Sequence, residues 1–395
     1  MLAIVFWLSV IFVLYTYVGY PVLLAFLAAL KPKQKYQEKF VPSVTLLITA
    51  YNEELVIAEK IENSLALDYS RDKLQILVAA DGSTDRTPDI VKKYQESGVE
   101  LVYKPERNGK MAAINRSMPM ARGDIVVFSD ANNMYAEDAI LKLVAPFDNS
   151  NVGATTGAKL IVQDGRDLSN VEGIYWKYES WIKKNESTVG SCTSAVGEIL
   201  AIKRAYFNPP PPDVINDDFY QVIDLLRRGH RVLYIPEAKS YEDVSASASD
   251  EVLRRTRINA GRYQTISLSL GLLPWRRLDL IWQIVSHKYF RLLLPFGYIG
   301  AFIANLFLVL WPDRESTHPL IAVNYPYNWI FLSLQIIFYA VALIGSQVKA
   351  SGLIGKILYV PAYLVNSNLS ALRGLWGYAT KRQSHVWTRV RRGNE

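Results

Sequence analysis

The chain has 395 residues, enough for one large domain or two modest ones. Half of it is hydrophobic, and its mean hydropathy of +0.07 is high for a soluble enzyme, with the apolar excess gathered at the two ends. A net charge of +7 beside long apolar segments points to an anionic membrane surface or an anionic nucleotide as partner and away from nucleic acid, and the single Cys192 excludes an intramolecular disulfide.

Leu2 to Leu30 carries no charge and exceeds the roughly 20 apolar residues that cross a bilayer core as helix. Nothing basic precedes it, as a cleaved signal would require, so residues 1–30 are expected to be an uncleaved anchor, kinked at Gly19-Tyr20-Pro21. Lys31, Lys33, Lys35 and Lys39 follow, which places the next segment in the cytoplasm.

Four short apolar runs then alternate with helical patterns. Val44 to Thr49 ends in Ala50-Tyr51-Asn52-Glu53-Glu54, with a helix over Leu55 to Leu67. Leu74 to Ala80 ends in Asp81-Gly82-Ser83-Thr84-Asp85, with a helix to about Glu96. Val99 to Tyr103 leads to Asn108-Gly109-Lys110 and a helix from Met111 to Met120. Ile125 to Phe128 stops at Ser129-Asp130-Ala131-Asn132-Asn133. Strand, loop and helix repeated in this way predict an α/β fold, a doubly wound and mostly parallel sheet, whose polar strand ends share one rim. Ligands collect at such a rim.

The rest is less regular. Trp176, Tyr178 and Trp181 lie on an expected helix, and Gly197 to Ile202 and Val232 to Ile235 read as strands. Pro209 to Pro212 is a rigid lead-in to a helix that Asn216-Asp217-Asp218-Phe219 opens and Gly229 ends. Arg254, Arg255, Arg257 and Arg262 cluster after it. Leu272 to Val285, rich in Trp and Leu with Arg276 and Arg277, reads as interfacial. Leu292 to Trp311 and Trp329 to Gln347 are candidate spans. Leu353 to Tyr378, interrupted by Lys356, Pro361, Asn366-Ser367-Asn368 and Arg373, is expected to be interfacial or re-entrant, with the basic tail at Lys381-Arg382 and Arg389 to Arg392 inside. The expected organisation is thus an anchor at 1–30, a cytoplasmic catalytic domain at 31–265, interfacial helices at 266–291 and a membrane region at 292–395.

The rim residues each admit two readings. Asp130 and Asn132 alternate onto one side of an extended segment and offer oxygens for a hard divalent cation, or form an Asx-rich turn. Asp81 can accept hydrogen bonds from a base or ribose, or cap the helix after Thr84. Lys110 sits near a helix start, where a pyrophosphate is favoured, or is a solvated lysine. Asp217 and Asp218 cap a helix, or one of them is a catalytic base.

The order and spacing of these motifs resemble a membrane-integrated inverting family 2 glycosyltransferase of GT-A fold, the branch of poly-N-acetylglucosamine, hyaluronan and cellulose synthases. The matching pieces are Thr49 to Glu54, Asp81 to Asp85, Asn108 to Asn115, Ser129 to Asn133 and Asn216 to Phe219, and the likeness covers about residues 40 to 265. The resemblance implies a nucleotide-diphosphate sugar donor, with Tyr51, Asn52, Glu53 and Asp81 around the nucleoside, expected to be uridine, and Lys110 near the diphosphate. It implies Mg²⁺ or Mn²⁺ on Asp130 with Asn132, Asp218 beside Asp217 as the base that deprotonates a glycan or lipid-linked acceptor, and Arg254 and Arg257 near the pyrophosphate. It also implies polysaccharide synthesis at the cell (inner) membrane by a multi-pass protein in contact with membrane lipids. Three positions depart from the family pattern. Asp-x-Asp is Asp130-Ala131-Asn132, which an aspartate at 132 would restore. Glu-Asp is Asp217-Asp218. Gln-x-x-Arg-Trp is Arg254-Arg255-Thr256-Arg257-Ile258, which loses a sugar-stacking platform and argues for single or limited transfer over a processive synthase. A nucleotidyltransferase using the same rim is the reading from another class.

Overall fold

The computed structural model describes residues 1–32, 36, 40–163, 166–167, 173–243, 248–269, 271, 273–311, 322–348 and 352–381. It opens with an apolar helix, α1 (Leu2–Leu14), which passes through a π turn at Tyr15–Gly19 into α2 (Tyr20–Ala29). The π turn runs up to Gly19, where the Gly19-Tyr20-Pro21 kink is expected. Pro21 stands at the start of α2, where a missing N–H leaves little unsatisfied.

The chain then runs β1 (Val44–Ala50), α3 (Ile57–Leu65), β2 (Leu74–Asp81), α4 (Thr87–Lys92), β3 (Val99–Lys104), α5 (Lys110–Ser117) and β4 (Ile125–Asp130). The four strands are parallel in the order β3-β2-β1-β4. Every residue of β1 and β2 is buried, as helices on both faces require. Strand order reverses between β1 and β4, so the loops leaving their carboxyl ends part there and form the crevice in which such sheets hold ligands. The register sets Thr49 of β1 opposite Asp130 of β4.

The second half adds β5 (Asn133–Tyr135), α6 (Ala139–Val144), β6 (Val152–Gln163), β7 (Arg166–Asp167), α7 (Gly173–Val189), β8 (Leu200–Lys203), α8 (Asp217–Arg227) and β9 (Arg231–Asp243). Here the sheet is mixed: β8 lies antiparallel between β4 and β6, β6 pairs parallel with β9, and β9 pairs antiparallel with β5. The segment from Gly197 begins with a tight 3-10 turn at Gly197–Ile199, and only Leu200–Lys203 is strand. One apolar core packs α3 and α6 on one face through Ile57, Ile61, Ile140 and Leu143. The other packs α5 and α8 through Met111, Ile114, Val222 and Leu226.

The chain ends in α9 (Ala248–Ser269), α10 (Leu278–Ile284), α11 (Phe290–Leu310), α12 (Tyr327–Gln347) and α13 (Gly352–Ala379). Among the described residues three helices are long and apolar enough to cross a membrane: Leu2–Ala29, Leu278–Leu310 and Tyr327–Gln347. In two places the helices run differently from the sequence pattern. A π turn at Val285–Tyr289 joins α10 to α11, so among the described residues the second apolar helix starts at Leu278 and is continuous with part of the stretch expected to be interfacial. The polar groups of that turn point inward, His287 and Lys288 reaching Glu179 of α7, rather than toward headgroups. Residues 353–378 are not broken either, but lie in one helix, α13, that carries Pro361 inside it and packs on both α12 and α9. Lys33, Lys35, Lys39, Leu272, the tail from Arg382 and most of the loop from Pro312 lie outside the described residues.

Candidate active site

The strand-end loops are bound to one another before any ligand is considered. Asn52, in the left-handed region at φ 53°, accepts the Thr84 amide on its side-chain oxygen at 2.8 Å. The Glu53 amide donates to Thr87 Oγ1 at 2.8 Å, and the Glu53 carbonyl accepts the amides of Val56 and Ile57, starting α3. Asp81 is only 4% exposed. Its Oδ2 accepts the amides of Asn108 and Gly109 at 2.8 and 2.7 Å, and its Oδ1 faces the Arg116 guanidinium at 3.1 Å. Asp81 therefore fixes the loop that presents Lys110 at the start of α5. Tyr51, Asp81 and Lys110 share a small pocket with Arg107, whose guanidinium stacks 3.6 Å from the Tyr51 ring centre.

Lys110 links this pocket to the next. Its ammonium lies 2.8 Å from Asp130 Oδ1 and 3.8 Å from Asp217 Oδ2. Burial alone would pull its pKa down, but the two carboxylates outweigh burial and hold it above the ordinary lysine value. Asp130 is the mirror case. Burial pushes it up, while Lys110, Lys159 and a hydrogen bond from Thr49 Oγ1 (3.2 Å) bring it below its usual range. On the far side of Lys110 is a cavity of about 220 Å³, walled by Lys110, Asp217, Asp218, Arg254, Arg257 and Glu198 among others. The structure thus brings together the expected Lys110, Asp130, Asp217, Asp218, Arg254 and Arg257.

Asp218 is at the second position of α8 and accepts the Phe219 amide on Oδ1 at 2.6 Å. Burial, then repulsion from Asp217, raises its pKa to about 6. A carboxyl poised there can take a proton near neutral pH.

Asn132 is turned to another task. Its side-chain amide donates to Glu242 Oε1 at 2.9 Å, and Glu242 pairs with Lys159, which also meets Glu198 at 2.7 Å. The composition of the motifs did not reveal Glu198, Lys159, Glu242 or Arg107. The one sequence signal was Glu198 itself, a charge set inside the apolar run from Gly197 to Ile202. Among the described residues no three His, Cys, Asp or Glu side chains converge as a metal cage. A cation held through one or two carboxylates plus substrate phosphates needs no such cage. Asp130, already receiving a cationic ammonium on one oxygen, fits that donor set.

An open sheet with its crevice at the β1/β4 reversal, a lysine joining two pockets there and a poised carboxylate fit a GT-A glycosyltransferase. Residues 45–208 match the model described as glycosyl transferase family 2, and the chain carries a family 2 glycosyltransferase domain. It is 26% identical over 294 residues to the probable glycosyltransferase YdaM of Bacillus subtilis, covering 70% of this chain and 69% of that protein. It is 27% identical to the poly-beta-1,6-N-acetyl-D-glucosamine synthase of Staphylococcus aureus (56% of this chain, 55% of that one). It is 28% identical to the beta-monoglucosyldiacylglycerol synthase of a Nostoc species (43% of this chain, 38% of that one). The chain therefore spans little more than half of the second relative and well under half of the third. In structure it resembles a mannosyltransferase from Pyrobaculum calidifontis solved with GDP-mannose and Mn²⁺, with a TM-score of 0.73 at 22% identity, over 95% of this chain and 99% of that one. At that identity the likeness shows the fold.

Proposed function

We propose that the protein is a membrane-bound inverting glycosyltransferase that moves a sugar from a nucleotide-diphosphate sugar to a hydroxyl of a glycan or lipid-linked acceptor, at the cytoplasmic face of the cell membrane. The observation that carries this reading is the Lys110 ammonium between Asp130 and Asp217, with Asp218 beside it on the cavity wall. Tyr51 and Arg107 would flank the nucleoside, and Lys110, Arg254 and Arg257 would receive the diphosphate. Asp130 would hold Mg²⁺ or Mn²⁺, as the bound Mn²⁺ of the Pyrobaculum relative supports. That ion would neutralise charge developing on the leaving diphosphate. Asp218 accepts the proton of the acceptor hydroxyl as its oxygen attacks the anomeric carbon. The bond from that carbon to the phosphate oxygen breaks, and its electron pair leaves with the nucleoside diphosphate. One displacement inverts the centre, so no carboxylate nucleophile is required.

Uridine is the expected base, and the GDP-mannose of the Pyrobaculum relative makes guanosine the second to test. The test is purified full-length protein incubated with UDP- and GDP-sugars, with nucleoside diphosphate release measured with and without EDTA. Release from at least one donor that EDTA stops supports the reading. Release of pyrophosphate from a nucleoside triphosphate would instead make it a nucleotidyltransferase.

A further inference from the structure

The catalytic cavity does not end at Asp218. Its inner wall is built from Tyr175, Glu179 and Lys183 of α7, Arg262 of α9 and Lys288 of the π turn. Beyond Tyr175 and Arg262, which belong to both walls, lies a second cavity of about 360 Å³. Pockets that bury a small ligand measure about 300–1,000 Å³, and one water needs only roughly 10–15 Å³. This second cavity is lined by Tyr17 of the first apolar helix, Leu292 and Leu294 of the second, and Val360, Leu364 and Ala371 of α13. It is an apolar chamber among the membrane helices, behind the active site.

The boundary between the two cavities is cationic. Lys183 is 5% exposed, lies 5.3 Å over the Tyr234 ring and pairs with no carboxylate among the described residues. Arg262 donates to the neutral Asn259 Oδ1 at 3.3 Å. The one carboxylate on this wall, Glu179, is taken up by Arg291 at 2.5 Å, His287 at 3.1 Å and Lys288 at 3.4 Å. Glu179 is also the anion that acts on the buried Lys183, so one carboxylate serves Arg291, Lys288 and Lys183, with the half-buried Arg262 beside them. Cations outnumber carboxylates on this wall, and a ligand anion would be favoured there.

We infer that the acceptor is a phosphate-bearing lipid: its hydroxyl meets Asp218, its phosphate rests between Lys183 and Arg262, and its hydrocarbon passes Tyr175 into the apolar chamber. This rests on the transferase reading of the Asp218 site. It also names a class of acceptor that a soluble glycan or a neutral lipid would not satisfy.

The test uses the delipidated full-length protein and native mass spectrometry with three probes: dioleoyl phosphatidic acid, dioleoylglycerol and glycerol 3-phosphate. Wild type should hold phosphatidic acid at least about tenfold more tightly than either of the others, one charge-assisted contact being worth about that factor. K183Q/R262Q should bind phosphatidic acid and dioleoylglycerol alike. Ser367→Trp, and separately Leu364→Phe, should fill the chamber and weaken both lipids while leaving nucleotide-sugar hydrolysis to water unchanged, which also shows that the variants fold. Equal wild-type affinity for dioleoylglycerol and phosphatidic acid, or unaltered lipid binding in the double variant and in both chamber variants, would overturn the inference. Donor hydrolysis reports on the transferase reading by itself: hydrolysis without the lipid preference defeats only this proposal, and no hydrolysis of any donor defeats the reading beneath it.

Discussion

In the proposed reaction Asp218 is the base, and its environment would set a pH dependence. Its carboxyl is raised to about 6 by burial and by Asp217, and only the ionised form can accept a proton. Transfer should therefore fall as pH drops through about 6, roughly tenfold per unit below it. Asp218→Asn should bind donor but lose about 10²–10⁴-fold in transfer. Asp217→Asn removes the repulsion, so the acid limb should move to lower pH with the base still present. A pH–rate profile of both variants separates these cases, and an unmoved limb in Asp217→Asn would deny the coupling. At Asn132 the structure reverses an expectation. An aspartate there would restore an anionic pair with Asp130, but it would also replace a donated hydrogen bond to Glu242 with a like charge. Loss of about 1–3 kcal/mol is expected, visible as a lower Tm, and an unchanged Tm would free Asn132 for the metal. Lys110, Asp130 and Asp218 were legible because each closes a local strand–loop–helix motif. Glu198, Lys159 and Glu242 were not, since their meeting depends on β6, β8 and β9 aligning segments far apart in the chain.

At the scale of elements, α9 joins the candidate site to the C-terminal helix α13. It carries Arg254, Arg257 and Arg262 and is gripped from both sides by close backbone approaches. A side chain at Gly261 would come within 2.8 Å of Asn216 Cβ, next to the Asp217-Asp218 pair, and one at Gly374 of α13 within 2.7 Å of Asn259 Cβ. Gly374→Leu should therefore push α13 off α9. Overpacking of this kind costs about 1–3 kcal/mol. Arg254 and Arg257 travel with α9, so donor binding and transfer should weaken together while the far-UV circular dichroism of the domain stays unchanged; unaltered donor binding would deny that α9 reaches the diphosphate. The continuity of α13 was hidden by residues that ordinarily break helices. Asn368 instead donates back to the Leu364 carbonyl at 2.9 Å, satisfying itself within the helix, and the packing on α9 and α12 outweighs local preference.

For the whole molecule, the topology we propose has three crossings, one for each helix long and apolar enough to span; it would set the catalytic domain and the C-terminal tail on one side and the loop from Pro312 on the other, as the flanking lysines and arginines predict. Single cysteines placed in the domain, in the loop and in the tail, labelled from each side, should report inside, outside and inside. A tail labelled only from outside would mean that α13 crosses as well. The native cysteine gives a quiet background, because burial pushes the Cys192 thiol up to about 12. The parallel half of the sheet was readable from its unbroken apolar runs. The mixed half was not, because a strand such as β6 (Val152–Gln163), with Thr155, Thr156 and Lys159 along it, takes its burial from partners that no local pattern announces.

The contact between Lys110 and Asp130 has a consequence for the order of events. Lys110 lies 2.8 Å from Asp130, so a divalent ion held by Asp130 alone would have to displace that ammonium and leave it without an equal partner. A diphosphate arriving with the ion offers that ammonium a new anion, so eviction becomes exchange. Metal and donor should accordingly enter as one complex: titration calorimetry should find weak Mn²⁺ binding to the protein alone and much tighter binding with a nucleoside diphosphate present, and equal affinities would contradict it. Once the sugar had gone, the same lysine would be free to return to Asp130 as the product departs, so a single side chain would serve as both latch and return spring of the proposed cycle.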